Sequence, residues 1–181
     1  MEPPKNWGAS PAECAAAYPC DSLAFAEDDA YFRAIDIAAP ADLVYRWLCQ
    51  LRVAPYSYDL IDNFARRSPP QLTPGLEPLA PGQRMMTIFR VASLDPPRSL
   101  TIALSSSIGA AVMGDFCGTY AVAPRPGGSR LLAKVRVRYP RGRYGRLLRP
   151  VMPHLDLFMF RKQLETLRDY AERDARDLRD I

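Results

Sequence analysis

The end of the chain sets the strongest constraint on its fold. From about Pro153 onward, Leu157, Phe160, Leu164, Leu167, Ala171 and Leu178 recur at helical spacing, and Arg, Asp and Glu fill the opposite face after Arg161. A helix this long with one apolar face must lie across a sheet or a partner, so the preceding residues have to supply a receiving surface. Leu131 to Tyr139 offers one. Leu131, Ala133, Val135, Val137 and Tyr139 alternate with Arg130, Lys134, Arg136 and Arg138, which predicts a strand with one apolar face and one face in water.

The remaining pattern agrees with a sheet gripping that helix. Tyr31 to Ile37 alternates as a strand, and Ala39-Pro-Ala-Asp42 opens a helix to about Leu51 whose buried face is Leu43, Val44, Trp47, Leu48 and Leu51. Pro55 to Asn63 is short enough for one or two helical turns capped by Ser57 or Asp59. Ser68 to Pro81 is a proline-rich loop. Strands follow over Met85 to Leu94, Leu100 to Leu104 and Asp115 to Ala123, joined by turns such as Asp95-Pro-Pro-Arg98 and Pro124-Arg-Pro-Gly-Gly-Ser129. The order of elements points to the α+β class with helices on one sheet face. With 181 residues, 48% of them hydrophobic, one domain is expected. Residues 1 to 29 lack periodicity and are expected as an irregular N-terminal arm, with the folded domain spanning 30 to 178.

Several function classes have little to stand on. No apolar run approaches the roughly 18 residues of a membrane span, and Met-Glu-Pro-Pro-Lys lacks the order of a signal peptide, so a cytoplasmic protein is expected. Cys14, Cys20, Cys49 and Cys117 form no CxxC pair, and a single histidine, His154, is available to join them, so neither a metal nor a structural disulfide is expected. No phosphate loop or dinucleotide motif is present, and no cofactor is expected. The net charge is +4, but Lys134, Arg136, Arg138, Arg141, Arg143, Arg146 and Arg149 form a run without an acidic residue. Arg141, Arg143, Arg146 and Arg149 sit among apolar residues and are either a solvated loop or a weak contact for an anionic membrane surface. Acidic and basic residues mix through the terminal helix and leave no extended basic groove, so nucleic acid is not an expected partner.

Particular residues add a family resemblance. Arg33-Ala-Ile-Asp-Ile-Ala-Ala-Pro40 leads into Val44-Tyr-Arg-Trp-Leu48; Tyr56-Ser-Tyr-Asp-Leu-Ile-Asp-Asn63 and Ser129-Arg-Leu131 follow, and Asp156 precedes Met159-Phe-Arg-Lys-Gln-Leu164. In this order they resemble the START-like SRPBCC superfamily, which includes polyketide cyclases, aromatases and lipid-binding pollen allergens. The resemblance covers roughly Tyr31 to Glu172. It implies a helix-grip fold, a curved antiparallel sheet wrapped around a long C-terminal helix, with a cavity between them for a hydrophobic or amphipathic ligand such as a lipid or polyketide.

The residues the resemblance places at that cavity are Tyr56, Tyr58, Ile88, Ile102, Leu104, Tyr120, Val135, Val137, Tyr139, Phe160 and Leu164. The same apolar set is equally consistent with a filled core, since periodicity does not reveal a void. Tyr56, Tyr58, Asp59 and Asp62 crowd polar groups into one short segment, where they either cap a helix or orient a ligand. His154 at the start of the terminal helix needs no role beyond solvation. No catalytic set assembles, so a non-catalytic carrier or sensor is expected first. The alternative is a cyclase in which Tyr58 and Asp59 position and deprotonate a poly-carbonyl substrate; a partner-binding module is the third possibility.

Overall fold

A computed structural model of the chain describes residues 4–24, 28–58 and 67–179. Among these, the elements in chain order are β1 (Asn6–Trp7), α1 (Pro11–Ala15), a 3-10 turn (Pro19–Leu23), β2 (Asp29–Ile37), α2 (Ala41–Cys49) with a 3-10 turn (Gln50–Arg52), β3 (Arg84–Met85), β4 (Phe89–Asp95), β5 (Ser99–Leu104), α3 (Ser107–Met113), β6 (Asp115–Arg125), β7 (Gly128–Arg138) and α4 (Arg143–Asp177). The strands form a seven-stranded sheet in the order β1-β2-β7-β6-β5-β4-β3. All neighbours pair antiparallel except β1 and β2, which run parallel. α2 and α4 pack on the inner face, giving the α+β arrangement the sequence predicts.

Alternation decides which side chains the sheet buries. Leu131, Ala133, Val135 and Val137 of β7 face α4 and are buried, as are Leu100, Ile102 and Tyr120 on the neighbouring strands. Leu164, Leu167, Ala171 and Ala175 of α4 complete the core with Leu43, Val44, Trp47 and Leu48 of α2. Each fully buried aliphatic side chain of this kind stabilises the fold by about 1.5–3 kcal/mol.

The structure corrects four expectations. The outer face of β7 does not meet water: the N-terminal segment lies across it, with Asp21 paired to Lys134 Nζ at 2.8 Å and to Arg136 Nη1 at 3.0 Å. The Cys20 amide donates to Thr119 Oγ1 at 3.0 Å, and Arg130 forks onto Glu13 at 2.8 and 3.0 Å. The arm lies over the domain, and the charges that this burial takes out of water are paired across the contact.

The apolar stretch Met85 to Leu94 is not one strand but a tight hairpin. Met86 and Thr87 adopt φ of 41° and 66°, and the Ile88 amide donates to the Met86 carbonyl at 2.7 Å. α3 has no counterpart in the sequence-based expectation; Ser106 caps it by accepting from the Gly109 amide at 3.0 Å.

The terminal helix begins at Arg143, ten residues before the expected start, and carries Pro150 and Pro153 inside it. Arg143, Arg146 and Arg149 are thus helical rather than in a loop. Gly142, at φ 85°, makes the turn into the helix, and Gly145 lies so close to the Pro140 carbonyl that any Cβ there would collide with it.

Candidate functional site

At the end of the grip where β2, β7 and the middle of α4 meet, strand parity turns unusual side chains inward. Ile35 and Ile37 set the inward parity of β2, so Tyr31 and Arg33 also point at α4. Arg33 is fully buried and holds Asp156 of α4, with Nη2 2.7 Å and Nε 2.9 Å from Oδ2. Its Nη1 donates to the Phe32 carbonyl at 2.9 Å and its Nη2 to the Pro153 carbonyl at 3.3 Å. Burial pushes the Asp156 carboxyl up to about 6, against the pull of Arg33.

Tyrosines border this pair. The Arg33 guanidinium lies 5.5 Å from the Tyr31 ring centre, and the Tyr31 hydroxyl hydrogen-bonds that of Tyr139. Burial raises the pKa of both phenols and of Tyr120, so all three stay protonated near neutrality. Tyr120 donates to Gln163 Oε1 at 2.7 Å, and Gln163 Nε2 donates in turn to the Pro55 carbonyl at 2.7 Å. Val135, Val137 and the half-buried rings of Phe116 and Phe160 form the apolar part of the same wall, with Tyr120 stacked on Phe160 at 6.0 Å.

The residues anticipated from sequence separate into four places. Val135, Val137, Tyr139, Phe160 and Tyr120 come together at this wall, and Ile102 and Leu104 continue it on β5. Ile88 sits in the β3–β4 turn. Tyr56 and Leu164 are buried further along α4: Tyr56 meets Trp47 and Tyr170 edge-on at 5.8 and 6.1 Å. Residue 170 lies roughly 20 Å along the helix from residue 156, at 1.5 Å per residue. Tyr58 stacks on Phe158 at 4.2 Å, on the exposed side of α4. It lines an open cleft of about 470 Å³ with His154 and Arg161. Asp59 and Asp62 lie outside the described residues.

Another cleft, of about 500 Å³, opens on the outer face of the sheet, where Asp28, Arg90, Asp115, Arg136 and Arg138 line it. His154 is exposed, with Nδ1 3.1 Å from the Pro150 carbonyl. The four cysteines are free thiols. Among the described residues, no helix is long and apolar enough to cross a membrane.

No family model matches this sequence, and no curated protein does either. Solved structures do. The di-domain ARO/CYC protein StfQ from the steffimycin biosynthetic pathway superposes with a TM-score of 0.51 at 12% identity, over 81% of this chain and 51% of that one. This chain has the helix-grip fold. A protein from Thermobifida fusca superposes with a TM-score of 0.53 at 16% identity, over 80% of this chain and 93% of that one. The chain spans about half the length of the StfQ di-domain.

Within the helix grip, the polar groups that sequence reasoning passed over are Arg33, Asp156, Gln163 and Tyr31. Arg33 and Asp156 stood in the family-like segments, but a charge in a strand or helix reads locally as solvated. Parity with Ile35 and Ile37 was the signal that places Arg33 inside.

Proposed function

We propose that this protein binds a small hydrophobic or amphipathic ligand, of the lipid or polyketide kind, between the sheet and α4, as a carrier or sensor rather than a catalyst. The observation that carries this reading is the composition of one wall. The protonated hydroxyls of Tyr31, Tyr120 and Tyr139 stand among Val135, Val137, Phe116 and Phe160. Protonated phenols hold a carbonyl or hydroxyl by hydrogen bonding and are poor bases near neutral pH, so they suit orientation more than proton abstraction. In this reading Leu104 and Ile102 extend the apolar wall, Leu164 and Tyr56 support it from the core, and Tyr58 stands outside it.

An environment-sensitive hydrophobic dye tests the proposal. Saturable one-to-one binding to the folded protein is expected, weakened by Val135→Trp, which fills the wall, and unchanged by Arg98→Ala in the exposed β4–β5 turn. A folded protein that binds no such dye, or one whose binding ignores Val135→Trp, overturns it.

One observation favours a cyclase-like enzyme acting in the same space. Asp156 changes protonation near neutral pH within electrostatic reach of the Tyr31 and Tyr120 phenols, as a general acid or base would. Under that reading Asp156→Asn abolishes turnover of a poly-carbonyl substrate but leaves dye affinity intact, whereas a carrier shows no turnover in either form.

A further inference from the structure

The first half of α4 and the neighbouring α3 present an apolar face that nothing among the described residues covers. Ile108 and Val112 of α3 are 78% and 52% exposed, and Tyr144, Leu147, Val151 and Leu155 of α4 are 48–72% exposed. The α4 side chains recur at steps of three, four and four, which confines them to one stripe of the helix roughly 16 Å long at 1.5 Å per residue. The Tyr144 hydroxyl donates to the Val112 carbonyl at 2.7 Å and ties α3 to the start of that stripe.

Charge here is mostly basic, with the exposed Asp115 just past the end of α3. From Phe116 to Leu155 the chain contains no acidic residue. Arg149 turns back to the body, over the Tyr139 ring at 5.2 Å and 3.7 Å from Asp29. Arg141, Arg143 and Arg146 are exposed and make no ion pair among the described residues. Leaving three unpaired guanidiniums beside exposed Leu and Val side chains gains nothing for the isolated fold. An interfacial helix has this make-up: apolar side chains enter the acyl boundary while the arginines meet lipid phosphates and carboxylates.

We infer that the α3–α4 face docks on an anionic phospholipid bilayer surface, with Leu147, Val151 and Ile108 entering the interface and Arg141, Arg143 and Arg146 contacting headgroups. Charge complementarity selects this occupant, since a zwitterionic surface leaves the three arginines unused. Docking is independent of whether the grip holds a ligand. Val151 and Leu155 point out from the helix where Met152 and Asp156 point in, so the bilayer lies behind the same turn of α4 that forms the interior wall.

Vesicle flotation with the full chain tests this. Vesicles of phosphatidylcholine with roughly one quarter phosphatidylserine should carry the protein up, while pure phosphatidylcholine vesicles should not, and 1 M salt should release it. Arg143→Glu with Arg146→Glu should weaken binding by roughly fivefold or more per site. Leu147→Asp, at a position 72% exposed and so without cost to the fold, should abolish it, with an unchanged circular dichroism spectrum as the check. Equal flotation on both vesicle types, no flotation at all, or full binding by folded Leu147→Asp overturns the inference. So does a dimer in solution that Leu147→Asp dissociates, which assigns the face to a second copy.

Discussion

Arg33 and Asp156, 123 residues apart in the chain, meet inside the grip with Nη2 2.7 Å from Oδ2 and side chains 0% and 4% exposed. Removing one partner strands the other in a medium that solvates it poorly. Asp156→Ala should therefore cost about 3–5 kcal/mol, a large share of the 5–15 kcal/mol typical of a folded domain. Arg33→Met with Asp156→Leu should recover most of it, because neither charge then needs solvation. Urea unfolding measures all three chains, and a double variant no more stable than Asp156→Ala would overturn the expected recovery.

The same carboxyl gives the stability a pH dependence of defined sign. Asp156 titrates at about 6 when folded and at about 3.9 in an unfolded chain, so between these values the folded state holds the extra proton. Its contribution is complete below about pH 4, declines as pH rises through about 6, and is flat above. Thermal unfolding across that range should show this decline in the wild type and not in Asp156→Asn. A difference curve that rises with pH would contradict the assignment.

Residues before β2 are expected to matter to stability, reversing what their composition predicts. Deleting residues 4–24 removes Asp21 from Lys134 and Arg136 and Glu13 from Arg130, and should lower the melting temperature by several degrees, at about 2–4 °C per kcal/mol in domains of this size. Hydrogen bonds from Arg130 hold the Glu13 carboxyl down at about 2. The stability from that contact is present above about pH 4.3 and is lost as pH falls towards 2. Acid titration of Glu13→Gln against wild type should lack that loss, and identical curves would exclude the contact.

Tyr120→Phe keeps the ring on Phe160 but removes the donor to Gln163. A buried acceptor without its partner costs about 1–3 kcal/mol. Gln163→Leu with Tyr120→Phe should cost less than the sum of the two single changes, as a double-mutant cycle by denaturant unfolding would show. Additive costs would mean that the bond carries no energy.

Local periodicity made much of the grip legible. The period of two in β7 and the stripe over Leu164, Leu167 and Ala171 are written by burial itself, whereas Leu157 is half-buried and Leu178 is 64% exposed, so the observed face matches the expected stripe only in its middle. The start of α4 was hidden because Pro150 and Pro153 each remove a donor and imitate a stop. The β3–β4 hairpin was hidden because Met86 and Thr87, with no glycine nearby, take a backbone conformation that their types rarely adopt. The arm's attachment rests on pairs such as Asp21 with Lys134, separated by 113 residues, which no window along the chain contains.

The two strands at the margins of the sheet, β1 and β3, are each two residues long. An open strand margin is a template on which another chain can stack, and very short outer strands deny it a foothold. On the β4 side the chain closes its own margin, with the Gly82 amide on the Val91 carbonyl and the Val91 amide on the Gln83 carbonyl, both at 2.8 Å. On the β2 side the guard is β1 alone, beside Phe32 and Arg33, with the Phe32 amide bonded to the Lys5 carbonyl at 2.7 Å. Proteolytic clipping before Trp7 would therefore uncover a nine-residue strand rich in aromatic and aliphatic side chains, and with it a route to fibrillar growth that the intact chain keeps shut.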